Sequence, residues 1–340
     1  MNISTIGLDI AKQAFQVHGA DARGQVVLQK RLARAEVIQF FANTPACLVG
    51  MEACGTAHYW ARQLSKCGHT VKLMAPRFVK AYLTKEKNDA NDAAAICEAV
   101  SRPSMRFVAV KSAEQEALLV LHRVRAGLVE ARTSAANQVR GLLGEFGLTL
   151  APGRRAVRAR LAEILEDAEN ELPPVAREGL AVIGKHLLEL DDRITEVEQA
   201  IRRWQGTDEA SRRLATVPGI GLLGATALAA TVGDARVFKN GRQFAAWLGL
   251  VPRQYSSGGH QRLGGISKHG DRYVRWLLIS GAHAVLRHRA TGTDPWLDQL
   301  RTRHPENVVA VALANKNARC AWALLAHRRT YQKGYVSVRP

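Results

Sequence analysis

Lys87-Asn88-Asp89-Ala90-Asn91-Asp92-Ala93-Ala94-Ala95-Ile96 is the stretch on which the reading of this chain turns. Asp89 and Asp92 stand three residues apart ahead of an alanine-rich apolar run, which places both carboxylates on one face of the first turn of a helix. Like charges that close repel. Either the helix N-terminus and solvent absorb the repulsion, with Asn88 or Asp89 as N-cap and Asp92 at the third helical position, or a divalent cation lies between them. Two further acids upstream bear on the choice.

Upstream, Ile3 to Ile10 reads as a buried strand, followed by short strands at Phe15 to Gly19 and Val26 to Leu28 around the turn Asp21-Ala22-Arg23-Gly24. A helix near Ala35 to Phe41, a strand Cys47 to Met51, a helix from Thr56 to Lys66 and a strand Val71 to Met74 lead to the aspartate pair. Consecutive strands followed by alternating helices and strands predict a mixed sheet with helices on its faces. Asp9 ends the first strand and Glu52 ends the fourth. Ligands of open α/β sheets gather beyond the strand ends, so Asp9, Glu52, Asp89 and Asp92 can converge from separate segments.

That order of elements and acids resembles the RNase H-like nuclease fold, and within it the RuvC-like branch, in which four such acids hold two Mg²⁺ ions. The chemistry suits the residues. Two divalent ions about 4 Å apart stabilise the attacking and leaving oxygens of phosphodiester transfer, and hard carboxylate oxygens suit Mg²⁺. Gly7-Leu8-Asp9-Ile10-Ala11 also resembles the first phosphate loop of the sugar-kinase and actin ATPases. That fold needs a second Gly-rich phosphate loop and a Gly-rich adenosine segment, and the chain shows neither.

The chain has 340 residues, too many for one ordinary core. It carries 48 Lys and Arg against 30 Asp and Glu, a net charge of +18, as a polyanion partner requires. Residues 241–340 hold 16 Lys and Arg and 4 Asp and Glu, hence +12 of that total. This is a basic domain, and nucleic acid is its expected partner. No apolar run approaches a membrane span and no amphipathic Lys-rich terminal helix is present, so no membrane partner is expected. The N-terminus enters a strand pattern at once, without a signal peptide, so the expected location is the cytoplasm, in association with the nucleoid. The five cysteines lack C-x-x-C spacing and are expected to be small core residues.

From Ser112 the pattern becomes helical. Ala117, Leu121, Val124, Leu128, Ala131, Ala135, Val139, Leu142 and Phe146 form a coiled-coil-like stripe, with Arg123, Arg125, Arg132 and Arg140 off it. After Pro152-Gly153 and a short helix, Pro173-Pro174 opens a second long helix with the stripe Leu180, Ile183, Leu187, Leu190, Ile194, Val197 and Ile201. The two helices should pack on each other, on another subunit, or both. The expected organisation is an α/β RuvC-like domain over 1–110, a helical coiled-coil arm over 111–205, a basic, mostly α-helical domain over 206–332 and a basic tail over 333–340.

In the third region, Pro218-Gly219-Ile220-Gly221 precedes a helix over Leu222 to Val232. Such a turn resembles a helix-hairpin-helix, in which Gly219 and Gly221 would offer amides to a backbone phosphate; the alternative is a tight turn whose glycines only permit positive φ. Further on, Ser256-Ser257-Gly258-Gly259 reads as a hairpin tip within a basic, glycine-relieved surface. Arg253, Arg262, Lys268, Arg272 and Arg275 are candidate phosphate contacts. Trp276, Trp296 and Trp322 are expected in the core.

Taken together, Gly7-Leu8-Asp9, Met51-Glu52, Asn88-Asp89-Ala90-Asn91-Asp92-Ala93, Pro218-Gly219-Ile220-Gly221, Gly249-Leu250-Val251-Pro252, Ser256-Ser257-Gly258-Gly259 and Gly264-Gly265-Ile266-Ser267-Lys268-His269-Gly270-Asp271 resemble the DEDD-type insertion-sequence transposases, also called bridge-RNA-guided serine recombinases. The resemblance spans nearly the whole chain. It implies Asp9, Glu52, Asp89 and Asp92 as an Mg²⁺-binding catalytic tetrad with two ions. It also implies Ser256, rather than Ser257, as a catalytic nucleophile that becomes joined to DNA. Donor and target DNA, a structured guide RNA and a homo-oligomer, dimer to tetramer, are the implied partners. The competing readings are a junction-resolving nuclease in which Ser256 is only a turn residue, and a non-catalytic nucleic-acid scaffold.

Overall fold

The computed structural model describes residues 2–83, 88–258, 260–290, 292 and 294–334, with the side chain of Ser257 left aside. Lys87, Gly259 and the tail beyond 334 lie outside the described residues. The chain divides into two compact units, Met1–Glu116 with Val232–Asp234, and Ala117–Thr231 with Ala235–Pro340.

The first unit is built on β1 (Thr5–Ile10), β2 (Ala14–Ala20), β3 (Val26–Ala33), α1 (Val37–Ala42), β4 (Leu48–Glu52), α2 (Ala57–Lys66), β5 (Thr70–Met74), α3 (Pro76–Val79), α4 (Asp89–Val100) and β6 (Phe107–Val108). Its six-stranded sheet has the order β3-β2-β1-β4-β5-β6. β1 pairs parallel with β4, and β4 with β5; the β1–β2, β2–β3 and β5–β6 pairs are antiparallel. The mixed sheet expected from the element order is present. β3 runs five residues beyond the expected Leu28, and β6 is an added edge strand, two residues long and too short to carry a periodic signal.

Alternation along β1 and β4 sends side chains to opposite faces. Ile6 and Leu8 join Val37, Phe41, Trp60, Ala61 and Leu64 in a core under α1 and α2. The intervening Gly7 faces α4, so closely that a Cβ there would lie 2.1 Å from the Ala93 carbonyl oxygen and 2.4 Å from the Cys97 nitrogen. Gly50, opposite Gly7 in the parallel register, faces the other end of α4, where a Cβ would meet the Val100 Cβ at 2.7 Å. Two glycines side by side therefore let a helix lie directly on the sheet. Of the cysteines, Cys47 and Cys97 are buried as expected, while Cys54 is exposed in the loop after β4.

The second unit takes up α5 (Ala113–Gly144), whose first residues belong to the first unit, and continues with α6 (Arg154–Glu166), α7 (Pro174–Thr207), α8 (Glu209–Leu214), α9 (Leu222–Val232), α10 (Gly241–Trp247), β7 (Pro252–Ser257), β8 (His260–Ile266), α11 (Arg272–His288), α12 (Pro295–Arg303) and α13 (Glu306–His327). α5 and α7 are joined by ion pairs, Arg125 to Glu198 at 2.6 Å and Arg132 to Asp191 at 2.6 Å. The α7 stripe is buried or half-buried throughout. The α5 stripe is not: Val124, Leu142 and Phe146 are exposed, and the buried positions include Leu118, Leu119, Ala136 and Leu143. The apolar residues of α5 cover more than one face, and a single stripe describes only part of them. Among the described residues no helix is long and apolar enough to cross a membrane.

Candidate active site

The acidic site follows from the strand alternation. Asp9 lies two residues past Gly7 and Glu52 two past Gly50, so both carboxylates emerge on the face covered by α4. Leu8 is opposite Met51, which puts Asp9 and Glu52 at the same end of adjacent parallel strands. α4 meets β1 at Ala93 and Cys97, and its first turn, carrying Asp89 and Asp92, lies one turn further along. Ligand oxygens of Asp9, Asp89 and Asp92 lie within 4.8 Å of one another. Glu52 does not enter that three-carboxylate group in this conformation. It remains in the neighbourhood: partial burial, and then the charges of Glu52 and Asp9, push the Cys54 thiol up from its ordinary value.

The cap of α4 is Asn88, whose side chain accepts from the Asn91 amide at 2.8 Å. Neither aspartate serves as N-cap, and Asp92 stands at the fourth helical position. Both carboxylates are thereby available to the cluster with Asp9. Three hard anionic donors from two segments fit a divalent cation, and the helix N-terminus offsets part of the repulsion among the carboxylates.

In the second unit, β7 and β8 form the hairpin expected at Ser256-Ser257-Gly258-Gly259, with Gln254 opposite Leu263, Tyr255 opposite Arg262 and Ser256 opposite Gln261. Ser256 is exposed and shares a face with Gln254, whose Nε2 donates to the Ser256 hydroxyl at 2.9 Å. The hairpin base is closed by hydrogen bonds donated by the Ser267 amide to the Val251 carbonyl, 2.8 Å, and by the Lys268 amide to the Gly249 carbonyl, 3.1 Å. Gly249 and Gly270 permit this, since a Cβ on either would lie 2.1 Å from the His269 oxygen or 2.0 Å from the Trp247 oxygen. Asp271 then caps α11 through the Tyr273 and Val274 amides.

Arg253, Arg262, Lys268 and Arg272 are exposed around this hairpin, Lys268 in a left-handed conformation at φ 55°. Arg275 departs from the expected phosphate role. It is 8% exposed and its guanidinium donates to the carbonyls of Leu248, His269 and Gly270. A buried cation is tolerated only where its donors are satisfied, and here backbone carbonyls of the loop satisfy it. Gly219 has φ +88°, and a Cβ there would lie 3.1 Å from the Gly281 oxygen and 2.9 Å from the Asn317 amide nitrogen. Asn317 also donates to the Pro218 carbonyl at 2.8 Å. Packing and positive φ thus account for Gly219, whereas a Cβ on Gly221 would enter open space. Of the three tryptophans expected in the core, Trp322 is half-buried and donates to the Ala235 carbonyl, Trp296 is half-buried beneath Lys316, and Trp276 is exposed.

One feature without a motif emerges only in three dimensions. His122 of α5 is 1% exposed, with Nδ1 3.0 Å from the Tyr273 hydroxyl and Nε2 3.0 Å from the Thr226 hydroxyl. Thr226 donates its own proton to the Leu222 carbonyl at 2.7 Å, so it accepts from His122 Nε2–H. The Tyr273 hydroxyl consequently donates to Nδ1. Burial, followed by the Arg125 charge, lowers the His122 pKa to about 4. A lone histidine on an otherwise apolar face was the signal in the sequence.

Comparison with known proteins finds family matches in both parts of the chain. Residues 211–297 match the family model described as Transposase IS116/IS110/IS902 family, and residues 6–147 match the DEDD transposase model of IS110, described as Transposase. A Pseudomonas aeruginosa protein named "Probable family 20 transposase" is 56% identical over 338 residues, covering 98% of this chain and 100% of that protein. The transposase for insertion sequence element IS1328 of Yersinia enterocolitica is 43% identical, over 98% of this chain and 99% of its own. The transposase for insertion sequence element IS1111A of Coxiella burnetii is 42% identical, over 98% and 92%. With both models matched in chain order and relatives aligned from end to end, this chain belongs to the IS110/IS116 family of insertion-sequence transposases.

Proposed function

We propose that the protein cuts and rejoins donor and target DNA of its insertion sequence through a covalent phosphoserine link at Ser256, directed by a structured guide RNA and dependent on Mg²⁺ held by Asp9, Glu52, Asp89 and Asp92. The observation that carries the acidic half is the convergence of Asp9, Asp89 and Asp92 to within 4.8 Å while Asn88 supplies the helix cap. A RuvC-like assignment of the first unit agrees with its antiparallel β1–β3 followed by parallel β4 and β5. The proposed domain division is the one read from the sequence, at 1–110, 111–205, 206–332 and 333–340.

Asp9, Asp89 and Asp92 would hold the cation, with two ions the proposed number, and Glu52 would join them from the neighbouring strand by a side-chain rotation. When bound, the ions supply Lewis-acid charge at the scissile phosphate. The chain's own residues do the rest. Ser256 Oγ attacks phosphorus as its proton passes to solvent; the Oγ–P bond forms, the P–O3′ bond breaks, and the departing 3′-oxygen takes up a proton. A second 3′-hydroxyl reverses the step on the new strand, so the phosphodiester is conserved. Gln254 orients the hydroxyl and stabilises negative charge developing on Oγ. Arg253, Arg262, Lys268, Arg272 and the Gly221 amide hold phosphates without reading sequence, which base pairing to the guide RNA would supply. The exposed apolar residues Val124 and Leu142 of α5, with Phe146 just past its end, are the proposed contact of a dimer or tetramer.

The test is an incubation of protein, Mg²⁺, element-derived RNA and labelled donor and target DNA, followed by denaturing electrophoresis. A protein–DNA adduct present in wild type and absent in Ser256→Ala supports the proposal. Cleavage without an adduct in either protein identifies metal-dependent hydrolysis, the junction-nuclease reading, instead.

A further inference from the structure

We propose that Trp276, backed by Tyr273, is a stacking platform for an unpaired DNA base. Trp276 is 53% exposed on the first turns of α11. Single exposed apolar residues are ordinary, but this one is built into a rigid support. Its ring stacks on Tyr273 with 6.1 Å between centroids and 24° between planes. The Tyr273 hydroxyl is held by His122 Nδ1 at 3.0 Å, and the other nitrogen of that buried ring is held by the Thr226 hydroxyl at 3.0 Å. A residue so tethered cannot swing, and the indole stacked on it loses little freedom on binding.

The surroundings select the occupant. Arg272 stands one turn before Trp276 and Arg287 three turns after it on the exposed side of the same helix, within a stretch of net charge +12. An aromatic face flanked by guanidinium groups suits a polynucleotide strand whose base lies on the ring while its phosphates meet the cations. Every base offers a π-face, so the platform would hold any base that has left the duplex. Five residues separate β8 of the serine hairpin from α11, and Arg275 ties the start of α11 to that connection through the His269 carbonyl. Strand exchange requires bases to unpair where strands are exchanged, and DNA is the substrate that family membership supplies. The inference rests on that membership and not on the serine chemistry.

The experiment uses the full-length protein and fluorescence anisotropy with three labelled probes: a single-stranded thymidine oligonucleotide, a blunt DNA duplex and a uridine oligonucleotide. Trp276→Ala is expected to weaken single-stranded DNA binding about tenfold, the effect of losing one stacked base, with duplex binding unchanged. Trp276→Phe should retain most of the affinity, and Trp276→Leu, which keeps apolar area without a ring, should be as weak as Trp276→Ala. Equal losses on duplex and single strand, no loss on single-stranded DNA, or a loss confined to the uridine oligonucleotide would each overturn the proposal. So would a halved mass by light scattering with DNA binding intact, which would make Trp276 a contact between copies. Because the Phe and Leu variants differ in π character at similar burial, their ratio decides the matter even if Trp276→Ala proves unstable.

Discussion

Gly7 lies against Ala93 so closely that a methyl group on Gly7 would stand 2.1 Å from the Ala93 carbonyl oxygen. The contact fixes where α4 crosses β1, and so fixes Asp89 and Asp92 beside Asp9. Both obstructing groups, the Ala93 oxygen and the Cys97 nitrogen, are backbone atoms, so neither can rotate away. Gly7→Ala should therefore cost about 1–3 kcal/mol of stability through overpacking and abolish strand cleavage by lifting α4 off the sheet. Urea melts and a cleavage assay check it; a variant as stable and active as wild type would show that α4 can move without penalty.

The cluster of Asp9, Asp89 and Asp92 predicts opposite effects on stability and activity. Asp92→Asn removes a repulsive charge from the apo protein, so its melting temperature without divalent ions should equal or exceed that of wild type. Mg²⁺ should raise the melting temperature of wild type and not of Asp92→Asn, since ligands that bind the native state stabilise it by mass action. Asn88→Ala, by contrast, should cost about 1 kcal/mol through the lost cap while leaving the Mg²⁺ effect in place.

Arg275 and Arg262 should separate structure from binding. Arg275→Ala leaves three loop carbonyls without their donor and should destabilise by about 2–4 kcal/mol. Arg262→Ala should leave the melting temperature unchanged and reduce the slope of log affinity against log salt by about one. Binding isotherms at four salt concentrations, together with thermal melts, distinguish the two.

The buried His122 makes stability depend on pH. Its folded pKa, about 4, lies below the ordinary 6.5, so between these values the unfolded chain binds the extra proton. The stabilising contribution is complete above pH 6.5 and is lost as pH falls toward 4, in total roughly 3 kcal/mol. His122→Gln, which cannot titrate, should show a flatter decline over that window in denaturant melts.

Gln254 predicts a smaller effect on chemistry. Gln254→Leu should slow adduct formation roughly fivefold, the equivalent of one hydrogen bond of about 1 kcal/mol, without changing DNA affinity. A rate unchanged in single-turnover measurements would remove Gln254 from the step.

The sequence by itself determined the mixed sheet, the two long helices, the hairpin at Ser256 and the four acids worth watching, because each rests on local periodicity or turn chemistry. Gly7-Leu8-Asp9 and Gly50-Met51-Glu52 also share a spacing that places each acid on the face its glycine opens. Only the tertiary structure decided that Arg275 turns inward to loop carbonyls, that half the α5 stripe faces outward and that Trp276 is exposed on a tethered tyrosine. Those outcomes depend on which surfaces meet across many residues of chain. A local pattern says that a side chain is apolar, cationic or acidic, whereas long-range packing decides what it touches.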